Sequence, residues 1–513
     1  MREVITGLQS LGVRVPETIT GRNGGAGPAE GSAFIIGNSP VNIPIAGGYV
    51  KHSPFALEWN DHHYLLTREG TACLPVAVVP EPAVYRLKDP AGIPYRQIAL
   101  LHGKDCLATT VLQRCVNWKN QRRCAFCATE VSLERGSTLA RKTPAQLAEV
   151  ARLAVKLDGV RHMVLTSGTG DPSGSEIAYL AHCVAAIKTA IDLPIHVQFL
   201  PPADLSLMDR LKQAGTDTVG IHIESFHGPT LEQMAPAKSE IGLAHYEKAW
   251  QRAVALFGPN QVSSFLIAGL GEPPESLVDG SEVLADLGVF PFVVPLRPIP
   301  GSRLENRLPP DAALMGRIYE AVAGILHRKG LASQKSLAGC VRCGACSALS
   351  FYEKPAADFT CHSARSEREL SEAFAIRHRV FVDEQGIFTG TDRDEQDTIS
   401  IHLIARQGEK MVGTVRVFPD PGNDNGHWIG GRLAVHPDYR VFRIGASLVK
   451  EAMKRVKKKG CTVFTAHVQE KNVRFFQKLG WTPIGSMETI RGRPHRHMRA
   501  DLDRVPEEFQ CEL

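Results

Sequence analysis

At 513 residues, with 43% hydrophobic and 22% charged side chains, the chain is long enough for two or more domains with sizeable cores and has an ordinary globular composition. A net charge of +5 is too mild to imply nucleic acid, and no apolar run reaches transmembrane length. Twelve cysteines behind a start that lacks an apolar h-region point to a reducing, cytoplasmic compartment and to metal binding rather than disulfides.

Residues 1–100 are rich in Gly, Pro and short apolar runs. RNGGAGPAEGS reads as a loop, while FIIGNSPVNIPI, HYLLTREG and LPVAVVP read as short strands, so a β-rich N-terminal cap is expected. A phosphate loop at Gly24–Gly27 lacks the Lys-Ser/Thr ending and reads better as a flexible loop.

Next comes QRCVNWKNQRRCAFCATEVSL, which sets Cys115, Cys124 and Cys127 in a C-x8-C-x2-C array with Phe126 before the last. Thiolates are the usual ligands of iron–sulfur clusters, and three of them on a 4Fe–4S cube leave one iron without a protein ligand. That iron can chelate the amine and carboxylate of S-adenosylmethionine. An electron from the reduced cluster then breaks the sulfonium C–S bond and releases a 5′-deoxyadenosyl radical. Tetrahedral zinc needs a fourth ligand, and no His sits nearby at zinc-finger spacing. Plain buried thiols are the other reading.

From about 105 to 335, apolar β-like runs alternate with helical segments. TPAQLAEVARLAVKL is a helix with a Thr N-cap and Pro at its first position. HMVLTSGTGDPSG is a strand entering a Gly-rich loop, IAYLAHCVAAIKTAI a helix and PIHVQFLPP a strand. LSLMDRLKQAG is a helix closed by Gly215, and DTVGIHIES (217–225) a strand. A helix around 244–257, QVSSFLIAGLGE, the helix ESLVDGSEVLADLG and the strand FPFVVPLRPIPGS complete the series. Such alternation means a parallel sheet with right-handed crossovers, hence an α/β barrel or partial barrel with its site at the C-terminal strand ends. That rule selects Thr166, Ser167, Gly168 and Thr169 after one strand, Glu224 after the next, then Gly269, Gly271 and Glu272, and finally Arg297. Taken singly, each reads better as a turn or a solvated loop end, but four successive strand ends with Gly or charge favour a ligand.

On these strings the chain resembles the radical SAM core from Cys115 to Gly301. TSGT is similar to the loop that grips the methionyl amine, IHIES to the ribose-contacting strand and FLIAGLGE to the glycine strand beside adenine. LATTVLQRC, LTSGTGD, AGTDTVGIHIES, QVSSFLIAGLGE, PFVVPLRPIPGS and AGCVRCGACSALS resemble a biotin-synthase-related family encoded in bacterial nitrilase-associated gene clusters. The resemblance implies a partial TIM-type barrel over 101–352, a reductant such as flavodoxin or ferredoxin, and a small-molecule substrate in nitrile or cyanide-related metabolism. Usual radical SAM enzymes have three residues, not eight, between the first two cysteines, and that family shares the widened gap.

A second group, Cys340, Cys343 and Cys346 in GCVRCGACS, implies either an auxiliary iron–sulfur cluster, with Cys361 or substrate as fourth ligand, or a zinc knuckle. Reduced thiols packed over the barrel are the third reading. Cys73, Cys106, Cys183, Cys461 and Cys511 stand alone and read as packing or surface residues.

Residues 353–358 read as a linker, and the grammar then changes. RSERELSEAFAIRHRVFVDEQGIF is helical, and IHLIARQGEKMVGTVRVFP is a hairpin turning near Gly408. GGRLAVHPDYR is a strand, IGASLVKEAMKRVKKKG a helix, CTVFTAHV a strand and KNVRFFQKLGW a helix. Residues 359–513 resemble the α/β GNAT acetyltransferase fold. The resemblance implies acetyl-CoA held along Leu433 and Val435, by the segment Arg440 to Ala446 with Arg443 and Gly445, and near Asn472. Helix N-termini suit such pyrophosphates.

Two departures stand out: Arg443 where the phosphate loop usually has Gly, and Phe476 where a Tyr often protonates the departing thiolate. Glu384 and His436 are the acid–base candidates. The runs Lys454–Lys459 and Arg491–Arg499 read as solvated faces. The expected whole is a bifunctional enzyme. An Elongator-like tRNA modifier and a GNAT-like module that binds without catalysis are the alternatives.

Overall fold

The computed structural model describes residues 1–21, 31–60, 63–170, 175–353, 359–407, 409–422, 426–437, 439 and 444–504. The chain divides into two compact units, 1–354 and 355–513. Of the loop expected over 22–32 and the linker expected over 353–358, residues 22–30 and 354–358 lie outside the described residues, as does the turn at Gly408. Gly31 and Ser32 belong to a strand, and Glu353 ends a helix.

The first unit opens with a helix, Arg2–Leu11, that the sequence pattern does not announce. Its buried face includes Thr6, Gly7, Gln9 and Ser10 beside Ile5 and Leu8, so apolar periodicity hardly marks it. Gln9 is made tolerable inside by donating to the Ala345 carbonyl at 2.9 Å, as a buried amide must. Five strands come next: β1 Gly31–Ile36, β2 Ser39–Pro44, β3 Phe55–Asn60, β4 His63–Arg68 and β5 Thr71–Val78. They form one antiparallel sheet in the order β2-β1-β5-β4-β3. This small sheet belongs to the same compact unit as the larger one.

The larger sheet has β6 Leu100–His102, β7 Cys106–Leu112, β8 His162–Ser167, β9 Ile195–Gln198, β10 Thr218–Gly220, β11 Val262–Ala268 and β12 Val289–Pro295. Their spatial order is their chain order. From β7 to β12 every pairing is parallel, and β6 hairpins antiparallel onto β7. A helix succeeds each parallel strand, the pattern of right-handed crossovers. The sheet remains open between β12 and β6, so it is a partial TIM-type barrel.

The helix Pro144–Asp158 starts as its sequence dictates. Thr143 and Gln146 form a reciprocal capping box, and Gly159 closes it at φ 66°. The strand expected over 217–225 stops at Gly220. Beyond it, the His222 ring takes the Phe265 N–H at 3.1 Å, and the backbone rejoins β11 only through the bridge of Glu224 to Leu266. A side chain thus does the work of a ladder rung and bends the chain into the site.

The second unit has β13 Phe359–Ser363, β14 Ile401–Gln407, β15 Lys410–Pro419, β16 His427–Val435, β17 Val463–Gln469, β18 Trp481–Ile490 and β19 Arg493–Ala500. Their order is β13-β14-β15-β16-β17-β19-β18. All pairs are antiparallel except β16 with β17, which match only from His427–Val463 to Gly430–Ala466. Past Gly430, β16 keeps to β15 and leaves β17, so the sheet splays at its centre. The amphipathic helix Ile444–Lys458 buries Leu448, Val449, Ala452, Met453 and Val456 against it.

The closing hairpin carries the run Arg491–Arg499 and leaves Arg491, Arg493 and Arg499 exposed, as expected of a solvated face. Its two-residue turn has φ 49° at Arg491 and φ 73° at Gly492. Such positive values suit Asn-Gly or Gly-Gly, so an Arg in the first place hides the signal.

Candidate functional site

The loop after β7 carries the first cysteine group and is tied to its surroundings by backbone. The Cys115 N–H donates to Glu130 Oε1 at 2.8 Å and the Val116 N–H to the Thr169 carbonyl at 3.0 Å. Arg123 lies 3.5 Å over the Trp118 ring and donates to the carbonyls of Cys127 at 2.9 Å and Gly301 at 2.7 Å. Gly168 is required here: its N–H reaches the Leu112 carbonyl at 2.7 Å, and a Cβ would overlap the Arg114 carbonyl.

Cys115, Cys124 and Cys127 line one cavity of about 200 Å³ together with Thr166, Ser167, Thr169, Glu224 and Lys238. Burial pushes the Cys124 thiol up to about 12 and the Cys127 thiol upward, the latter eased by Thr129. Thiols held dry in this way reach the thiolate form when a cationic metal group takes their protons' place. Among the described residues no three His, Cys, Asp or Glu side chains converge on a single metal ion. Three sulfurs that border one cavity suit a cluster held by thiolates.

Glu224 sits at φ 75°, a costly conformation for a residue with a Cβ. Its Oε1 accepts from Lys238 Nζ at 2.7 Å, and Lys238 also donates to the His222 carbonyl at 2.7 Å. Both side chains are about nine-tenths buried. Burial works to lower the Lys238 pKa, but the Glu224 carboxylate outweighs it and holds the ammonium above its ordinary range. Glu224 Oε2 and His222 Nε2 have no hydrogen-bond partner. The buried His222 is driven well below the usual imidazole range and stays neutral, chiefly by desolvation.

A second cavity of about 270 Å³ shares Phe126, Cys127, Thr166, Gln198, His222 and Glu224 with the first, so the two are compartments of one site. Its other walls include Ala108, Val164, Phe265, Ile267, Leu296 and Arg297. Arg297 is engaged by Asn42, donating to Oδ1 at 2.9 Å and to the carbonyl at 2.8 Å. Gly269 and Gly271 line neither compartment. They turn the chain at φ 100° and 115°, and the Gly269 N–H donates to Glu272 Oε1 at 2.9 Å.

The second cysteine group lies on the helix Gly339–Cys343 and the turn after it. Cys340 and Cys346 face the larger compartment, where Gln198 Nε2 donates to Cys340 Sγ at 3.5 Å. Cys343 packs against Cys106 at the start of β7, and the two thiols are hydrogen-bonded. The fourth sulfur brought to this group is therefore Cys106. The expected Cys361 instead packs on the core of the second unit. Lys238, His222 and Cys106 were all missed in the sequence, where each is isolated.

In the second unit a cavity of about 360 Å³ opens where β16 and β17 part. Leu433 and Asn472 line it; Val435, Gly445 and Ala446 do not, and Arg440 and Arg443 lie outside the described residues. Phe476 lines it while stacking edge-on against Trp481, 5.3 Å between centroids. Neither acid–base candidate borders it. His436 Nε2 pairs with Arg379 at 3.0 Å, and Glu384 ends a single π-helical turn. Two imidazoles do line the cavity, His495 and His467, the latter stacked at 4.5 Å on its cross-strand partner His497.

The profile of the radical SAM superfamily matches residues 121–280, and that of the acetyltransferase (GNAT) family matches residues 366–481. The chain is 28% identical over 230 residues to the bacteriochlorophyllide c C-7(1)-hydroxylase of Chlorobaculum limnaeum, covering 41% of this chain and 57% of that relative's length. It is 30% identical to the uncharacterized N-acetyltransferase YjcF of Bacillus subtilis, over 27% of this chain and 96% of YjcF. To the uncharacterized protein YyaT of the same organism it is 31% identical, over 27% of this chain and 93% of YyaT. The chain is thus an enzyme that carries a radical SAM domain and, through its second unit, belongs to the acetyltransferase (GNAT) family.

Proposed function

We propose that the first unit abstracts hydrogen from a small metabolite and that the second transfers an acyl group from acetyl-CoA to an amine. The observation that carries the first half is the pair of joined compartments. One is rimmed by Cys115, Cys124, Cys127 and the Glu224–Lys238 pair, the other is walled by apolar side chains. When bound, a 4Fe–4S cluster with S-adenosylmethionine supplies one-electron cleavage of a sulfonium C–S bond and removal of a substrate hydrogen.

The chain's own residues do the rest. The three cysteines hold the cluster. Thr166, Ser167 and Thr169 border the nucleotide. Glu224, held in place by Lys238, accepts a hydrogen bond from a hydroxyl or amine through its unpartnered Oε2. Phe265, Ile267, Val164 and Leu296 keep water from the reacting centre.

The same reading gives Cys106, Cys340, Cys343 and Cys346 a second iron–sulfur centre. It calls on a flavodoxin- or ferredoxin-like reductant, and it assigns the substrate to nitrile or cyanide-related metabolism, as strings such as LTSGTGD and GCVRCGACS support. An adjacent nitrilase gene tests that last point. Anaerobic reconstitution with iron and sulfide, then assay for 5′-deoxyadenosine, tests the core of the proposal. Equal product from wild type and Cys124→Ala overturns it. For the second unit, calorimetry with acetyl-CoA is the test. Phe476 offers no phenol to the departing thiolate, and absence of binding leaves this unit without acyltransfer.

A further inference from the structure

We infer that the amine acylated by the second unit carries a carboxylate, read by the guanidinium of Arg491. This rests on the acyltransferase reading and adds the acceptor's chemical class. The cavity at the splay has Arg416, Arg432 and Arg491 among its lining residues and no Asp or Glu. Two of these cations are already neutralised from behind. Arg416 pairs with Asp394 and Asp397 at 2.5 and 2.6 Å, and Arg432 with Asp394 and Asp392 at 2.9 and 3.2 Å. Arg377 completes a group of three arginines and three aspartates by pairing with Asp392 at 2.7 Å and Asp397 at 2.6 Å.

Arg491 differs. No carboxylate among the described residues pairs with it. Its guanidinium lies 4.4 Å over the Phe388 ring, while that of Arg432 lies 4.5 Å over the same ring. Both side chains leave the backbone at positive φ, 49° at Arg491, an exposed residue of a two-residue turn, and 55° at Arg432. A cation stacked on an aromatic face is oriented by it, and a guanidinium offers two parallel donors to a carboxylate. Leu433 and Asn472 border the same cavity, so acyl donor and anionic acceptor meet in one space.

The transfer balances. The neutral amine attacks the thioester carbonyl, a C–N bond forms and the C–S bond breaks. The amine proton ends on the thiol, while the acceptor's carboxylate is unchanged and serves only to orient it.

The experiment uses the full chain. Acetyl-CoA binding is measured by calorimetry, and thiol release is monitored with the twenty standard amino acids and their carboxamides. The expected result is at least one acid used about tenfold or more better than its amide, through KM. Arg491→Gln should erase that preference and Arg491→Lys restore part of it, with acetyl-CoA affinity within about twofold. Parity of acids and amides, no turnover of any acid, or a loss of acetyl-CoA affinity in Arg491→Gln overturns the assignment. The last result would mean that Arg491 reads the phosphates of coenzyme A. Failure of the wild type to bind acetyl-CoA brings down the acyltransferase reading as well, whereas binding without acid preference brings down this inference alone.

Discussion

Glu224 and Arg432 occupy equivalent roles in two unrelated folds. Each is a charged residue with a positive φ, at 75° and 55°, placed just beyond regular strand pairing. Glu224 stands where the chain bridges back to β11, and Arg432 past the last β16–β17 pair. Each is clamped by opposite charge supplied from elsewhere in its unit, Lys238 in the first and Asp392 with Asp394 in the second. The difference lies in redundancy. Among the described residues Glu224 is the one carboxylate paired with its buried ammonium, whereas Arg432 belongs to a six-membered network in which Arg377 and Arg416 also serve the aspartates. The barrel stakes its site on one pair, and the splayed sheet spreads the same burden over many.

The sharpest separation of the units comes from Cys124→Ala. We expect 5′-deoxyadenosine formation to vanish while the calorimetric titration with acetyl-CoA is unchanged. A parallel loss in both would show that the units do not act independently.

Next in size is the clamp. Glu224→Ala strands a buried ammonium and should cost the first unit about 3–5 kcal/mol. Arg432→Ala leaves Asp392 and Asp394 with other partners and should cost about 1–2 kcal/mol. Urea unfolding read by hydrogen exchange, which assigns each transition to its unit, checks both. Equal losses would erase the contrast.

Acid offers a third test. Desolvation first, then neighbouring charge, depresses His162 to about 3, His196 to about 3 and His222 well below its ordinary value. Unfolding lets these imidazoles take up protons near pH 6.5. The stability they contribute is therefore whole above pH 6.5 and falls as pH drops toward 3, at up to about 1.4 kcal/mol per pH unit for each.

In the second unit, Asp394 and Asp397 are held below the usual carboxylate range, burial being outweighed by Arg416 and Arg377. Their contribution is whole above about pH 3.8 and is lost only below it. His402 and His497, both depressed first by burial and opposed by Asp397 and Glu488 respectively, add two imidazoles of the acid-labile kind. The first unit should thus open first between pH 6 and 4, with near-UV circular dichroism and proteolysis as readouts. Simultaneous opening would count against the buried histidines as its cause.

The sequence was most informative where chemistry depends on local spacing. The three cysteines, the Thr143 cap and the small residues Thr166 to Thr169 could be read directly, because each signal lies within one turn or loop. Lys238, in a Pro-bounded stretch, looks like any solvated lysine until the fold aims it at Glu224. Cys106 is an isolated cysteine until the helix Gly339–Cys343 sets Cys343 upon it. Gly269 and Gly271 misled for the opposite reason. A glycine at a strand end marks close approach and tight turning alike, and here the turn won.

The helix Gly339–Cys343 closes the underside of the barrel. Gly339 N–H donates to His162 Nδ1 at 3.2 Å, and a Cβ on Gly339 would stand 2.6 Å from the His196 ring. Ser347 then fastens the segment to the Val293 carbonyl at 2.5 Å, and the Asn42 N–H reaches the Ala345 carbonyl at 2.7 Å. A ribosome must therefore deliver residue 347 before strands made some two hundred positions earlier can be sealed, so the nascent chain carries an unfinished floor until the acetyltransferase half begins to emerge.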